Sequence, residues 1–222
     1  MVQKQFKGNQ SIAIYNHVIT SQVNLMNVLA KRDNLAEFAR RAVISIETDM
    51  SKGAYSAVTA GLAGANVPAA LKQTGAFDMN KLITLGQTVG AYNFNMKPVF
   101  AGTLSGLMKI APSAASGYRI NTEADNMKLE LIRTAYGFDF LTLPQVATGD
   151  YSTMSLALND NLIMAISPAA DKLVRGVIEG ATLTNSNDPH DNANLTTNFT
   201  INKRYGFEYI SGAVAGSYTI SQ

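Results

Sequence analysis

The chain has 222 residues, 46% hydrophobic and 15% charged, with 17 glycines, 6 prolines and a net charge of +2. That length supports a buried core as one domain or two lobes, and the glycine and proline content excludes collagen-like and low-complexity classes. The small basic excess argues against a dedicated nucleic-acid binder, and zero cysteines exclude disulfide scaffolds, zinc fingers, iron–sulfur sites and thiol catalysis.

Lys4 to Thr20 reads as extended chain. Gly8-Asn9 gives a turn signal, and Ile12, Ile14 and Val18 recur at even spacing, so a hairpin or the returning arm of a long loop is expected. From Asn27 the pattern changes to helix. Leu35, Phe38, Ala39, Ala42, Ile46 and Met50 form one stripe at three- and four-residue spacing, with Asn34 and Glu37 as a capping box. Gly53 either ends this helix or is passed over by the Ala-rich stretch to Ala60. A helix of about 20–25 residues would be roughly 30–38 Å long.

Gly61 to Gly75 reads as a small-residue connector, and Met79 to Tyr92 as a second helix weakened by Gly86 and Gly90. Met96 to Gly102 is expected to be a short strand after Pro98, and Thr103 to be the N-cap of a helix that runs through Ile110 and stops before Pro112. Ser113 to Asn121 reads as loop, and Glu123 to Arg133 as helix or strand. Phe138 to Leu143 and Leu162 to Ile166 read as extended segments, and Val174 to Ile178 as an extended or mixed one. Thr182 to Asn198, rich in Asn, Asp and Thr, is expected to be a surface loop. Phe199 to Ile210 alternates and reads as a long strand interrupted by Gly206. A long helix, a central mixed portion and a late strand make the class α+β.

Chemistry-bearing residues are few. His17 and His190 are the two histidines, and each reads as a surface side chain. Asp188, His190 and Asp191 imitate a metal patch, but one histidine on a polar loop is a poor ligand set. No phosphate-binding glycine pattern is present. Glu47 and Asp49 are too close along one helix to face each other as an acid/base pair. The nine methionines read as adaptable core filler. Basic residues pair at Lys31-Arg32, Arg40-Arg41 and Lys203-Arg204; Arg40-Arg41 reads as a solvated helix face, or as a contact for nucleic acid or for acidic patches of another subunit. No catalytic, cofactor-binding or metal-binding residue is expected, nor is an enzyme. Met1 to Gln10 has lysines with no apolar run after them, and Ala54 to Leu71 is too rich in small residues to span a bilayer, so the expectation is a soluble chain.

The order of elements resembles the major capsid protein fold of tailed bacteriophages, the HK97-like fold. Phe6 to Ile14 is similar to an E-loop strand, and Leu35 to Lys52, with Ile46-Glu47-Thr48-Asp49 near its middle, to the spine helix. Lys97 to Thr103 followed by Leu104 to Ile110 resembles the axial-domain strand and the helix after it. Ala135-Tyr136-Gly137-Phe138 with Leu143-Pro144-Gln145-Val146 is similar to a further stretch of that domain. Asn198 to Ile210, carrying Lys203-Arg204, resembles the closing peripheral strand.

The resemblance implies an extended arm over 1–26, a peripheral domain over 27–75 and 190–222, and an axial domain over 76–189. It implies a structural virion protein whose copies form the hexamers and pentamers of an icosahedral shell, assembled in the host cytoplasm and enclosing DNA non-specifically. Scaffolding, portal and cement proteins would be the further partners; no membrane and no cofactor is involved. Subunit contacts are expected at Phe6, Gly8, Ile12, Ile14, Tyr15, Arg40, Arg41, Lys203 and Arg204. With only about thirty residues ahead of the helix, the chain reads as a compact member or one lacking an N-terminal segment. An encapsulin-like compartment shell is the nearest rival. A small α/β hydrolase and a fibre or adhesin-like virion part are more distant ones.

Overall fold

The computed structural model describes residues 11–32, 34–65, 67–110, 134–135, 137–148, 152–186 and 196–221. In chain order the elements are β1 (Tyr15–Asn24), α1 (Leu25–Leu29), α2 (Leu35–Ala63), β2 (Lys72–Gly75), α3 (Met79–Tyr92), β3 (Val99–Thr103), α4 (Leu104–Met108), β4 (Thr134–Ala135), β5 (Phe138–Leu143), β6 (Leu162–Ile166), β7 (Val174–Ser186), β8 (Thr196–Tyr209) and β9 (Gly216–Ile220). The strands form a three-stranded sheet, β1-β8-β7, and a six-stranded sheet, β2-β9-β6-β3-β5-β4. This is the α+β class read from the sequence. The chain divides into two compact units, residues 1–54 with 175–208, and residues 55–174 with 209–222.

In the first unit β1 pairs antiparallel with β8 over ten positions, from Tyr15 opposite Tyr205 to Asn24 opposite Thr196. Alternation along the strands sends Ile19, Phe199, Ile201, Tyr205 and Phe207 to one face, where Ala42, Ile46 and Met50 of α2 pack on them. Asn34 caps α2: its Oδ1 accepts from Ala36 N at 3.0 Å and Glu37 N at 3.4 Å. The helix is 29 residues long, about 44 Å, and so exceeds the expected 20–25. Gly53 does not end it. A Cβ there would lie 3.1 Å from the Phe207 ring, so this glycine makes room for β8. Gly61, in the second unit, does the same for Tyr209, whose Cγ would be 2.1 Å from a Cβ.

The second unit is a three-layer arrangement around the mixed sheet. Tyr55, Val58 and Leu62 of α2 pack on one face against Ala101 and Met164. On the other face, Leu82, Leu85 and Val89 of α3 meet Phe100, Phe140, Ile163 and Tyr218. Tyr218 is fully buried; its hydroxyl donates to Ala76 O (2.7 Å) and accepts from Asp78 N (2.8 Å). Asp78 in turn caps α3 through Asn80 N at 2.8 Å. Lys72 Nζ donates to Ala63 O (3.1 Å) and Gly64 O (2.6 Å), closing the C-terminal end of α2.

Several expectations are revised. Gly61 to Gly75 is not merely a connector: it contains the last turn of α2, a short 3-10 turn at Ala69–Leu71, and β2, which pairs in parallel with β9. Both ends of the expected Thr182–Asn198 loop are strand, because β7 runs to Ser186 and β8 begins at Thr196, while 187–195 lie outside the described residues. Threonine-rich sequence is compatible with a strand wherever ladder bonds replace local turns. Thr103 is an N-cap as read, accepting from Gly106 N at 3.1 Å, but α4 ends at Met108 instead of continuing through Ile110. In the second unit, residues 55–63 of α2 pack on the six-stranded sheet, and β9 is one of its strands. Ser113 to Asn121 and Glu123 to Arg133 lie outside the described residues.

Candidate functional site

One side-chain cluster of the first unit joins three elements. The β1–β8 register puts His17 opposite Lys203 and on the same face as Tyr205, and α2 brings Asp49 to both. His17 Nδ1 lies 2.8 Å from Asp49 Oδ2, and the Tyr205 hydroxyl donates to the same oxygen at 2.5 Å. The imidazole and phenol rings stack at 3.8 Å, 7° from parallel. Tyr205 is buried, which pushes its phenol well above the ordinary tyrosine range, and the bond to Asp49 pushes it further. Such a phenol stays protonated and acts as a donor, so the cluster fastens β1 and β8 to α2 and supplies no nucleophile. Sequence reading took His17 for a surface histidine and linked it to neither partner. Positions 17, 49 and 205 share no spacing; only the pairing of β1 with β8 would have revealed the cluster.

The expected contact residues separate into two groups around this cluster. Ile12 and Ile14 are half-buried, and Tyr15 is 66% exposed at the start of β1. A Cβ on Gly206 would come within 1.9 Å of Ala13 O and 3.3 Å of Ile12 Cγ2. The glycine that interrupts the β8 alternation is therefore where residues 12–13 cross close to its backbone. Lys203 is half-buried opposite His17, and Arg204, opposite Asn16, pairs with Glu179 at 3.0 Å. Arg40 and Arg41 lie exposed on α2, where both Nε atoms donate to one carboxylate: Arg40 to Glu37 Oε2 and Arg41 to Glu37 Oε1, each at 3.1 Å. The bond from Arg40, followed by that from Arg41, lowers the Glu37 carboxyl below its usual range. Glu37 thus serves the arginine fork in addition to its place in the cap. Phe6 and Gly8 lie outside the described residues, as do Asp188, His190 and Asp191.

Among the described residues no group of three or more His, Asp or Glu is placed to hold a metal ion, and no helix is long and apolar enough to cross a membrane. The arrangement is one of fastened strands, paired surface charges and exposed apolar side chains. Such features suit contact between chains.

The structure matches solved capsid subunits along nearly its whole length. The mature capsid subunit of bacteriophage PhiM1 matches at a TM-score of 0.61 and 12% identity, over 98% of this chain and 77% of that one. The capsid of cyanophage P-SCSP1u gives 0.59 and 13%, over 99% and 78%. The chain has the HK97-like capsid fold. An encapsulin shares it: the SrpI encapsulin of Synechococcus elongatus PCC 7942 matches at 0.54 and 9% identity, over 94% and 73%. No family model and no curated protein matches the sequence. The HK97-like fold is thus recognisable here in three dimensions at identities where sequence comparison is silent.

Proposed function

We propose that this chain is a structural shell protein whose copies assemble into pentamers and hexamers of an icosahedral capsid enclosing a phage genome. The observation that carries this reading is the match to phage capsid subunits over 98–99% of the chain. In this reading 1–26 is the extended arm, 27–75 with 190–222 the peripheral domain, and 76–189 the axial domain. The role is mechanical, with no catalytic residue, and the protein resides in the virion after assembly in the host cytoplasm. Scaffolding, portal and cement proteins are its further partners, and the packaged DNA is held without sequence readout.

Residues around Gly8 to Tyr15 lap an adjacent subunit, and Thr182 to Asn198 lies at a subunit edge. Phe6, Gly8, Ile12, Ile14, Tyr15, Arg40, Arg41, Lys203 and Arg204 are the proposed contacts. The exposure of Tyr15 and of the two arginines supports this assignment. An encapsulin-like shell is the second reading, favoured by the SrpI match. Size-exclusion chromatography with negative-stain electron microscopy of the expressed chain is the test. Closed shells, or pentamer and hexamer rings, are expected; a monomer at every concentration overturns the proposal. DNA in shells purified from infected cells supports the genome reading, and a co-purifying enzyme cargo supports the encapsulin one. Deleting residues 8–15 is expected to leave a folded chain that no longer closes shells, and normal shells from that deletion would remove the lapping role.

A further inference from the structure

We propose that residues 1–10 double back over this chain's own three-stranded sheet and seat in the groove between β7 and β8, with Phe6 against Leu183. Seated there, the arm is unavailable to a neighbouring copy and must peel away before it can lap one. That braking role rests on the shell reading; the seat itself does not.

The two faces of this sheet differ in cover. Phe199, Ile201, Tyr205 and Phe207 of β8 lie on the α2 side, so alternation sends Asn202, Arg204 and Gly206 to the outer face. Every β7 position after Val174 is exposed. A groove of about 260 Å³ opens on the outer face, lined by Glu179, Gly180, Ala181, Leu183, Asn202 and Arg204. Leu183 is 65% exposed in its wall. Asn202 Oδ1 is buried and has no hydrogen-bond partner among the described residues. A buried acceptor without a donor is costly, and folded chains usually supply one.

Gly206 shows which segment comes to this face. Its φ is not left-handed, so room and not conformation requires the glycine: a Cβ would meet Ala13 O and Ala13 C at 1.9 and 2.9 Å. The Cβ direction at this position is outward, so residues 12–13 lie above β8 on the outer face. The strand order is β1-β8-β7. Followed back from Tyr15, the chain therefore leaves the β1 ladder and passes over β8 toward β7.

Residues 1–10 lie outside the described residues and continue from that crossing. Asn202 is four positions from Gly206, about 13 Å along β8, and ten residues reach at most about 33–36 Å. Laid back from Ala13 over Gly206 position for position, the segment brings the Asn9 amide over Asn202 as a donor for Oδ1. Phe6 then lies about 10 Å further on, at the Leu183 end of the groove. Leu183 is four positions beyond Glu179, which pairs with Arg204 at 3.0 Å. The segment holds one aromatic, Phe6, for the apolar wall, and Lys4 and Lys7 but no acid for the Glu179 side. Connectivity at Gly206 makes the chain's own arm the occupant, since a short tether holds it near the groove at roughly millimolar effective concentration.

The absence of cysteine from the chain allows a direct test. The full chain is prepared with Phe6→Cys and Leu183→Cys together, with Asn9→Cys and Ala181→Cys together, and with each substitution alone. Each is oxidised in dilute solution and again after a further dilution of about tenfold. A bridge within one chain is expected from at least one pair, read by intact mass, with a half-time changed by less than about twofold on dilution. Bridges formed only between chains, and slowed by dilution, place the segment on a neighbour and overturn the proposal. No bridge from either pair overturns it as well. Bridged chains are then held where the parent assembles: shells that form only after reduction are expected, and shells formed by bridged chains at the parent's rate remove the brake. A parent that never forms shells while its variants still bridge removes the shell reading and leaves the seat standing.

Discussion

Replacing Asn93 with alanine tests whether the turn before β3 is as firmly fastened as its geometry implies. The side chain is buried, and its two bonds to Val214 are of normal length for N–H···O pairs. Truncation removes both partners at once and leaves the Val214 N–H and C=O without them. Each buried backbone group left unpaired costs about 1–3 kcal/mol, so a loss of about 2–4 kcal/mol is expected, water entry setting the lower end. For a chain of this size that corresponds to a fall in Tm of about 5–15 °C. Asn93→Asp keeps the acceptor for Val214 N but faces a carboxylate to Val214 O, and should lose at least as much. Urea unfolding of the dissociated chain, followed by far-ultraviolet circular dichroism, measures both. An alanine variant within about 0.5 kcal/mol of the parent would refute the reasoning, since that is the range of ordinary surface changes.

Burial raises the phenols of Tyr55, Tyr205, Tyr209 and Tyr218, so the unfolded chain releases those protons at lower pH than the folded one. Stability is then complete below about pH 10 and falls as pH rises above it; Tyr205→Phe should flatten that fall, measured by thermal melts across an alkaline series. The same substitution keeps the ring over His17 but deletes the donor to half-exposed Asp49, and should cost about 0.5–1.5 kcal/mol at neutral pH. Gly61→Ala gains about 1 kcal/mol of helix propensity yet puts a methyl 2.1 Å from Tyr209 Cγ, so a net loss of stability is expected; a gain would mean that Tyr209 moves aside freely. Glu37, held below its usual range by Arg40 and Arg41, gives a contribution that is present above about pH 4 and lost as pH falls through the folded value. Glu37→Gln should abolish that acid-side dependence in helicity measured by circular dichroism.

What was legible in the sequence were the elements whose own pattern defines them. The Ala42–Ile46–Met50 stripe predicted α2, Thr103 predicted the start of α4, and the alternation of β8 survived even its interruption at Gly206. Glycines were harder to read, because their meaning lies in what approaches them. Gly53 could be read as ending the helix or as passed over, because its partner, the Phe207 ring, is more than a hundred positions away. Short strands were lost for a related reason. Lys72 to Gly75 carries no strand signal of its own and is ordered by its pairing with β9. Of the candidate site, exposed arginines could be named but not their shared carboxylate. The joining of His17, Asp49 and Tyr205 needs a strand register that no single segment encodes.

That register also sets a schedule. The ten-position ladder between β1 and β8 joins residues 15–24 to residues 196–205, so the first unit's sheet cannot close until nearly all of the intervening chain has been synthesised. At about 5–20 residues per second the opening strand waits roughly 10–35 s for its partner. Contacts this distant in sequence also make for slow closure once both strands exist. A nascent chain therefore lacks the completed β1–β8–α2 face during most of its synthesis. The face is complete only when translation is almost done, a form of timing built into connectivity alone.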